Sequence, residues 1–537
     1  MTGVAAKDPL LIHPNSIPSS RYTMRVDAVL VPSHHRPPLW MLVEFGSLRC
    51  TGPSGVVAAI VLLTFTGLSS LSAQSVRHSP ATTRDRTASS RDTSGGGDPG
   101  SYLGVNCGKS GAHDTKQGIE NYFIKRNVAT LNLAADLGLG WARCGGGPEQ
   151  WYRNDSPSPA AFDEVVRHAN SKDIRVYLFL EYRGDINPQA ITDFDWRRVG
   201  IEFATHFGNR VACYGILNEV DHVASPHSPA EVAFAVDAFA SGVHDALPAA
   251  NVASPSIGGT PMQVQRADEF LAAIGPLFHD GKLSVLNLHS YHDSRPHKPH
   301  ESNIDDSSDW APSRNFLRAV EKAGIDRPLR FAAGEFNYRN WDGTDADRGI
   351  GFMTALWDQL MVVAATAHDH DADPQRVGLF SIPYNLPDDR PERQTTMAVR
   401  FDWQPDGSYQ WTGNEKGRVL QSMVRLTDGM SFVACDPLDR GFASLRGPNR
   451  TAWVWHHRKA FSSLATGDDV ELTGVPSAAK QMVVIDHTGL AIVRRSIADP
   501  SKTSLRLSPS ELPPNQTLLI MVDAADPAVV PSMGLAR

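Results

Sequence analysis

Two short apolar runs in this sequence end on a glutamate. "YGILNEVD" (Tyr214–Asp221) sets Asn218 and Glu219 side by side, and "RFAAGEFN" (Arg330–Asn337) puts Glu335 at the end of a second run. Strands ordinarily close on residues that satisfy a turn, so carboxylates at two tips raise the question of a chemical role. Two carboxyl groups can divide one reaction between them. One, protonated, donates to a leaving oxygen while the other, ionised, attacks the carbon, and glycosidic bond cleavage uses a pair in this way. The surroundings must then hold the two groups in different protonation states near neutral pH. A lone glutamate at a loop start is an ordinary surface residue; the pair carries the reading.

The elements around the pair decide whether the two tips can meet. From Tyr102 onward, short apolar runs alternate with longer amphipathic ones. The strand candidates are "YLGVN", "LGWARCG", "IRVYLFLEY", "VACYGILNE", "NVASPSI", "LSVLNLHSY", "LRFAAGEFN" and "RVGLFSIPYN". Several are continuously apolar, the pattern of strands covered on both faces. Helix starts are marked by Pro in "SPAAFDEVVRHAN", "SPAEVAFAVDAFASGVHDAL" and "APSRNFLRAVEKAG", where a missing N–H costs nothing. Eight such units predict a (β/α)8 TIM barrel over residues 101–428, and no GxGxxG follows the first strand to favour a dinucleotide fold. Glu219 then ends strand four and Glu335 strand seven, facing each other across the C-terminal mouth where barrels gather their chemistry. After Gly429 the rhythm changes to eight short runs, from "SFVACDP" to "QTLLIMVD", separated by Gly, Pro, Asn and Asp. That spacing predicts an all-β sandwich over 429–525, followed by a tail, 526–537.

The chain has 537 residues, 41% of them hydrophobic and 20% charged, a globular composition large enough for a barrel and an accessory domain. Its net charge is −8 and no basic stripe with interleaved aromatics appears, so nucleic acid is not an expected partner. Five cysteines at 50, 107, 144, 213 and 435 lack CxxC spacing and are expected to be small buried hydrophobes. "GVVAAIVLLTFTGLSSLSA" (Gly55–Ala73) follows Arg49 and resembles a signal peptide core or a single anchor, placing the protein outside the cytoplasm or at the cell surface. Met41 makes a better start than Met1, so residues 1–40 are expected not to belong to the natural product. Residues 1–74 form the targeting region and 75–100, rich in Ser, Thr, Arg and Gly, a disordered linker.

The site residues resemble those of the clan A retaining glycoside hydrolases, most closely the β-xylosidase and α-L-iduronidase family. The likeness rests on Asn218-Glu219 after strand four, Glu335 after strand seven, Arg143 ending strand two in "GWARCGG", and His289 and Tyr291 in "LNLHSYH". It implies Glu219 as acid/base and Glu335 as nucleophile, with Asn218 on the sugar 2-hydroxyl. Tyr291 would donate to Glu335, Arg143 would add positive charge there, and His289 would touch sugar or Glu219. Val220 stands where many members have Pro, and the strand-eight Trp of the clan is missing, "LFSIPYN" offering Phe380 and Tyr384 instead. Tyr338, Trp341 and Tyr384 are further candidates for the carbohydrate surface. No cofactor or metal is expected: "HDSRPHKPH" (His292–His300) is broken by Pro, and "AHDHDADP" (Ala367–Pro374) is a polar connection. The rival expectation is a non-catalytic glycan-binding barrel at the cell surface.

Overall fold

The computed structural model describes residues 99–107, 116–145, 158–180, 191–221, 227–258, 264–293, 323–325, 330–339, 344–368, 380–383, 399–403, 409–436, 442–457, 470–499, 501, 503–513 and 516–523. The expected leader (55–73), the linker through residue 98 and the tail lie outside them, as do both His/Asp-rich loops apart from their first residues. Among the described residues no helix is long and apolar enough to cross a membrane. Pro99 and Gly100, expected as the end of the linker, instead open a buried helical turn, Pro99–Tyr102. The Gly100 carbonyl accepts from Gly140 N–H (3.1 Å) and Leu103 N–H (3.2 Å), tying this turn to the chain entering the second strand.

A parallel TIM-like α/β barrel sheet is followed by an antiparallel β domain. The barrel strands are β1 (Gly104–Cys107), β2 (Trp141–Gly145), β3 (Arg175–Leu180) and β4 (Cys213–Ile216), then a broken fifth strand, β5 (Val252–Ala253) and β6 (Ile257–Gly258). β7 (Val285–Asp293), β8 (Arg330–Arg339) and β9 (Phe380–Pro383) complete the sheet, and β9 lies back against β1. The helices between them include α1 (Lys116–Leu137), α2 (Pro159–Ser171), α3 (Trp196–Phe207), α4 (Pro229–Ala246), α5 (Val264–His279) and α6 (Asp345–His368). Pro159 and Pro229 open their helices as expected, and α4 adds a reciprocal cap between Ser228 and Glu231.

The continuous apolar strands are explained by burial on both faces. Trp141, Tyr177, Phe179, Cys213, Ala253, Val285 and Ala332 fill the barrel interior. Their alternate neighbours, Ala142, Val176, Leu178, Tyr214 and Leu286, pack outward under the helices. Interior volume is balanced by small residues: a Cβ on Gly104 would strike Trp141, and one on Gly215 would strike the Tyr177 ring. Cys107, Cys144 and Cys213 are free and buried, as expected.

After the barrel comes an antiparallel hairpin, β10 (Val399–Trp403) and β11 (Tyr409–Gly413), which the sequence reading did not foresee. The helix α7 (Glu415–Leu426) then leads to the β domain. All eight runs expected there form strands: β12 (Ser431–Asp436), β13 (Phe442–Arg446), β14 (Arg450–His457), β15 (Val470–Thr473), β16 (Gln481–Ile485), β17 (Ala491–Ser496), β18 (Ser504–Leu507) and β19 (Gln516–Asp523). Six make one sheet in the order β12-β13-β14-β19-β16-β17, and β15 pairs with β18 as a ribbon. Period-two alternation gives the sheet two apolar faces. Trp453, Trp455, Met482, Val484, Leu518 and Ile520 meet Leu472 and Leu507 of the ribbon. Ala452, Val454, Val483, Ile485, Leu519 and Met521 join the core of the barrel helices.

Candidate active site

Two irregularities in the strands set the site. The first lies just past β4, where Leu217 (φ 67°) and Glu219 (φ 47°) both adopt left-handed backbone. Side chains other than glycine pay for that conformation, and it persists only where neighbours fix it. Here the tip of strand five does so: Ser256 Oγ accepts the Glu219 N–H (2.9 Å) and donates to Asn218 Oδ1 (3.1 Å). Both carboxylate oxygens of Asp221 accept the Gly258 N–H, at 2.9 and 3.0 Å. The turn thereby lifts the Glu219 side chain, 31% exposed, into the barrel mouth.

The second irregularity is a bulge in β8. Leu288 pairs with Ala333 but the next residue, His289, pairs with Glu335, so Gly334 is the extra residue. Its N–H is taken by the Asn287 side chain (3.0 Å), whose amide in turn donates to the Tyr177 hydroxyl (3.1 Å) in the barrel interior. A Cβ on Gly334 would lie 2.5 Å from Asn287 Oδ1. Gly334→Ala should therefore displace Asn287 and lose the aim of Glu335. We expect a stability loss of about 2 kcal/mol, the scale of a modest overpacking. A kcat loss of roughly 100-fold should accompany it, as for a reacting group misplaced by about 1 Å. Denaturant melts and steady-state kinetics would check both.

Glu335, 9% exposed at its side chain, pairs with Arg143 Nη1. Arg143 Nη2 donates to Asn218 Oδ1 (2.8 Å), Nη1 also reaches Asn106 Oδ1 (3.4 Å), and the guanidinium lies 4.0 Å from the Phe179 ring centroid. One planar fork thus joins the tips of strands one, two, four and seven. His289 is fully buried between the two glutamates, with Nδ1 3.0 Å from Glu219 Oε1 and 3.5 Å from Glu335 Oε2. One oxygen from each glutamate and a His289 nitrogen all lie within 4.8 Å of one another. This donor set has the reach to hold a cation, but Arg143 already occupies Glu335 and would repel a second positive charge.

Of the residues expected at the site, Glu219, Glu335, Asn218, Arg143 and His289 come together. Tyr291 lies on β7 opposite Asn337 in register; its side chain is outside the described residues, as are Trp341 and Tyr384. Tyr338 is a correction. It is 1% exposed and packs on Gly351 of α6, away from the mouth. It stands three positions after Glu335, and an odd offset along a strand points to the opposite face. Phe336, of the same parity as Tyr338, likewise stacks on Phe352 of α6.

Asn106, Ser256, Asn287, Asp221 and Lys416 were not singled out in the sequence. Lys416, fully buried on α7, donates to Asn337 Oδ1 (3.0 Å) and the Tyr338 carbonyl (2.8 Å), holding the strand just beyond Glu335. Asn106 and Ser256 sit at the tips of strands one and five, where their positions in "YLGVN" and "NVASPSI" carried the signal. Asp221 is wholly buried. Burial pushes its carboxyl up to about 7, against the pull of the Gly258 N–H, and nearby Glu219 adds to the rise. The folded chain thus keeps a proton that the unfolded one releases near pH 4. This contribution makes stability fall as pH rises from about 4 to about 7, by a total on the order of 4 kcal/mol. Asp221→Asn removes the titration, so the melting temperature of the variant relative to wild type should rise between pH 5 and pH 8. A difference that does not change with pH would contradict this.

No family model and no curated protein matches the sequence. Among solved structures, the fold is similar to a family 39 glycoside hydrolase from Bacteroides cellulosilyticus, with TM-score 0.50 and 13% identity over 79% of this chain and 82% of that one. It is similar to a glucosidase from Croceicoccus marinus, with TM-score 0.50 and 14% identity over 80% and 97%. A bacterial orthologue of human α-L-iduronidase gives TM-score 0.50 and 9% identity over 79% and 84%. At these identities the likeness is one of fold.

Proposed function

We propose that this chain is a retaining glycoside hydrolase acting on a poly- or oligosaccharide, with Glu335 as nucleophile and Glu219 as acid/base. The observation that carries the reading is the approach of the two glutamates to within 4.8 Å at the barrel mouth. Retention of configuration calls for carboxyl groups about 5–5.5 Å apart, whereas inversion needs roughly 6.5–9.5 Å to admit a water between them. Glu335 attacks the anomeric carbon as Glu219 gives its proton to the departing oxygen, leaving a glycosyl ester on Glu335. A water, losing its proton to Glu219, then attacks the same carbon and frees Glu335. Ion pairing with Arg143 suits Glu335 to attack as an anion, and the greater exposure of Glu219 gives it access to the leaving group and to water.

The fold likeness to a family 39 glycoside hydrolase and to an α-L-iduronidase orthologue supports a place in clan A, near the β-xylosidase and α-L-iduronidase family. Export or surface attachment through residues 55–73 belongs to the same proposal. A panel of chromogenic glycosides, with proton NMR of the first sugar released, tests it. Release with the starting anomeric configuration is the expected result. Binding without release on every sugar would leave the non-catalytic glycan-binding reading, and release with inversion would overturn the double displacement.

A further inference from the structure

We propose that Asp221 is a positioning residue for Glu219: its buried carboxyl fastens the left-handed turn carrying Glu219 to the tip of strand five. The inference rests on the reading of Glu219 as the acid/base. Two residues of this turn occupy backbone that L side chains rarely adopt, at about 1–3 kcal/mol each, so the conformation must be imposed by what surrounds it. Five residue pairs do this. Leu217 N–H continues the ladder to the Leu180 carbonyl (2.8 Å), and the Leu217 carbonyl accepts from Ser256 N–H (3.4 Å). Ser256 Oγ holds Asn218 and Glu219 from one side. Past Glu219 the chain is held by Asp221 on the Gly258 N–H.

A carboxyl group is a costly means to that end. A serine hydroxyl or an asparagine oxygen would accept one backbone N–H with a smaller burial penalty than the wholly buried Asp221 carboxyl. What the carboxyl adds is a pair of oxygens that both lie within 3.0 Å of the Gly258 nitrogen while the group also bonds its own backbone N–H. Its interactions with Glu219 and His289 also place it in the electrostatic field of the site. Val220, between Glu219 and Asp221, is 2% exposed, so both residues after Glu219 point into the protein and Glu219 alone turns toward the mouth.

Loss of the lock should therefore injure proton donation and spare nucleophilic attack. The test compares Asp221→Ala, Asp221→Asn and Glu219→Ala on two glycosides of the sugar that turns over. One carries 2,4-dinitrophenol, which leaves without a proton; the other carries phenol, which needs one. Asp221→Ala should lower kcat/KM on the phenyl glycoside by roughly 10- to 100-fold, a fraction of what a general acid supplies, and change kcat/KM on the dinitrophenyl glycoside by less than about threefold. Asp221→Asn, which keeps one acceptor oxygen, should fall between Asp221→Ala and wild type. Equal losses on both glycosides, or none on either, overturn the inference. Should Glu219→Ala itself lose no more on phenyl than on dinitrophenyl, the reading of Glu219 falls. Should Glu219→Ala discriminate and Asp221→Ala not, the inference alone falls. Hydrogen–deuterium exchange gives a readout independent of turnover. Asp221→Ala should speed exchange in a peptide spanning 213–221 while one spanning 330–339 stays as in wild type; unchanged exchange in the first peptide also refutes the lock.

Discussion

Glu335→Ala should lower turnover of any glycoside this chain cleaves by roughly four orders of magnitude or more, the scale seen when a hydrolase loses its covalent nucleophile. Among the described residues nothing else at the mouth can substitute. His289 is buried between the glutamates, and Glu219, proposed as the proton donor, approaches from the opposite tip. The variant leaves a space beside the Arg143 guanidinium suited to a small anion. Azide added at high concentration should restore a measurable rate on a dinitrophenyl glycoside and give a glycosyl azide of inverted configuration. Residual turnover above about one per cent without azide would remove Glu335 from the reaction.

Arg143→Met should cost about 3 kcal/mol of stability and at least about 100-fold in kcat. Removing one member of a buried ion pair leaves the other charge without compensation, at roughly 3–5 kcal/mol. The lower figure applies because His289 also lies 3.5 Å from Glu335. Arg143→Lys should recover little of either loss. A single ammonium group cannot reach Glu335, Asn218 and Asn106 in the plane that the guanidinium spans. Thermal melts and kcat on the same preparations decide the matter, and an Arg143→Met variant with wild-type values of both would make the guanidinium a bystander.

Much of the site was legible because parallel barrels place polar residues at strand ends. Glu219 and Glu335 each close an apolar run at its C-terminal end, and that was enough to pair them, whereas Arg143 and His289 were grouped with them by the family resemblance. Tyr338 was misjudged for a reason present in the sequence: its offset from Glu335 is odd, and strand parity sends it under α6. The hairpin of β10 and β11 was also there to be read, in Pro405, Asp406 and Gly407 between two alternating runs. The bulge at Gly334 was not, because an extra residue shows only when β8 is set against β7. Asp221, Ser256 and Asn287 act on backbone N–H groups of distant segments, and no side-chain pattern records which N–H a strand break will leave open.

The seating of the β domain on α6 reaches back to the chemistry. This helix follows directly on the strand of Glu335, and its Phe352, Met353, Leu356, Trp357 and Leu360 are almost wholly shielded. Thr354 bonds Thr517 of β19 at 2.8 Å, and the Trp357 ring lies edge-on to Phe432 of β12. The helices around the barrel and one face of the antiparallel sheet therefore share a single core, beside the separate cores inside the barrel and under the β15–β18 ribbon. Cutting the chain behind α7 would strip an oily wall bare directly behind Glu335, so the two halves rise and collapse as one cooperative body.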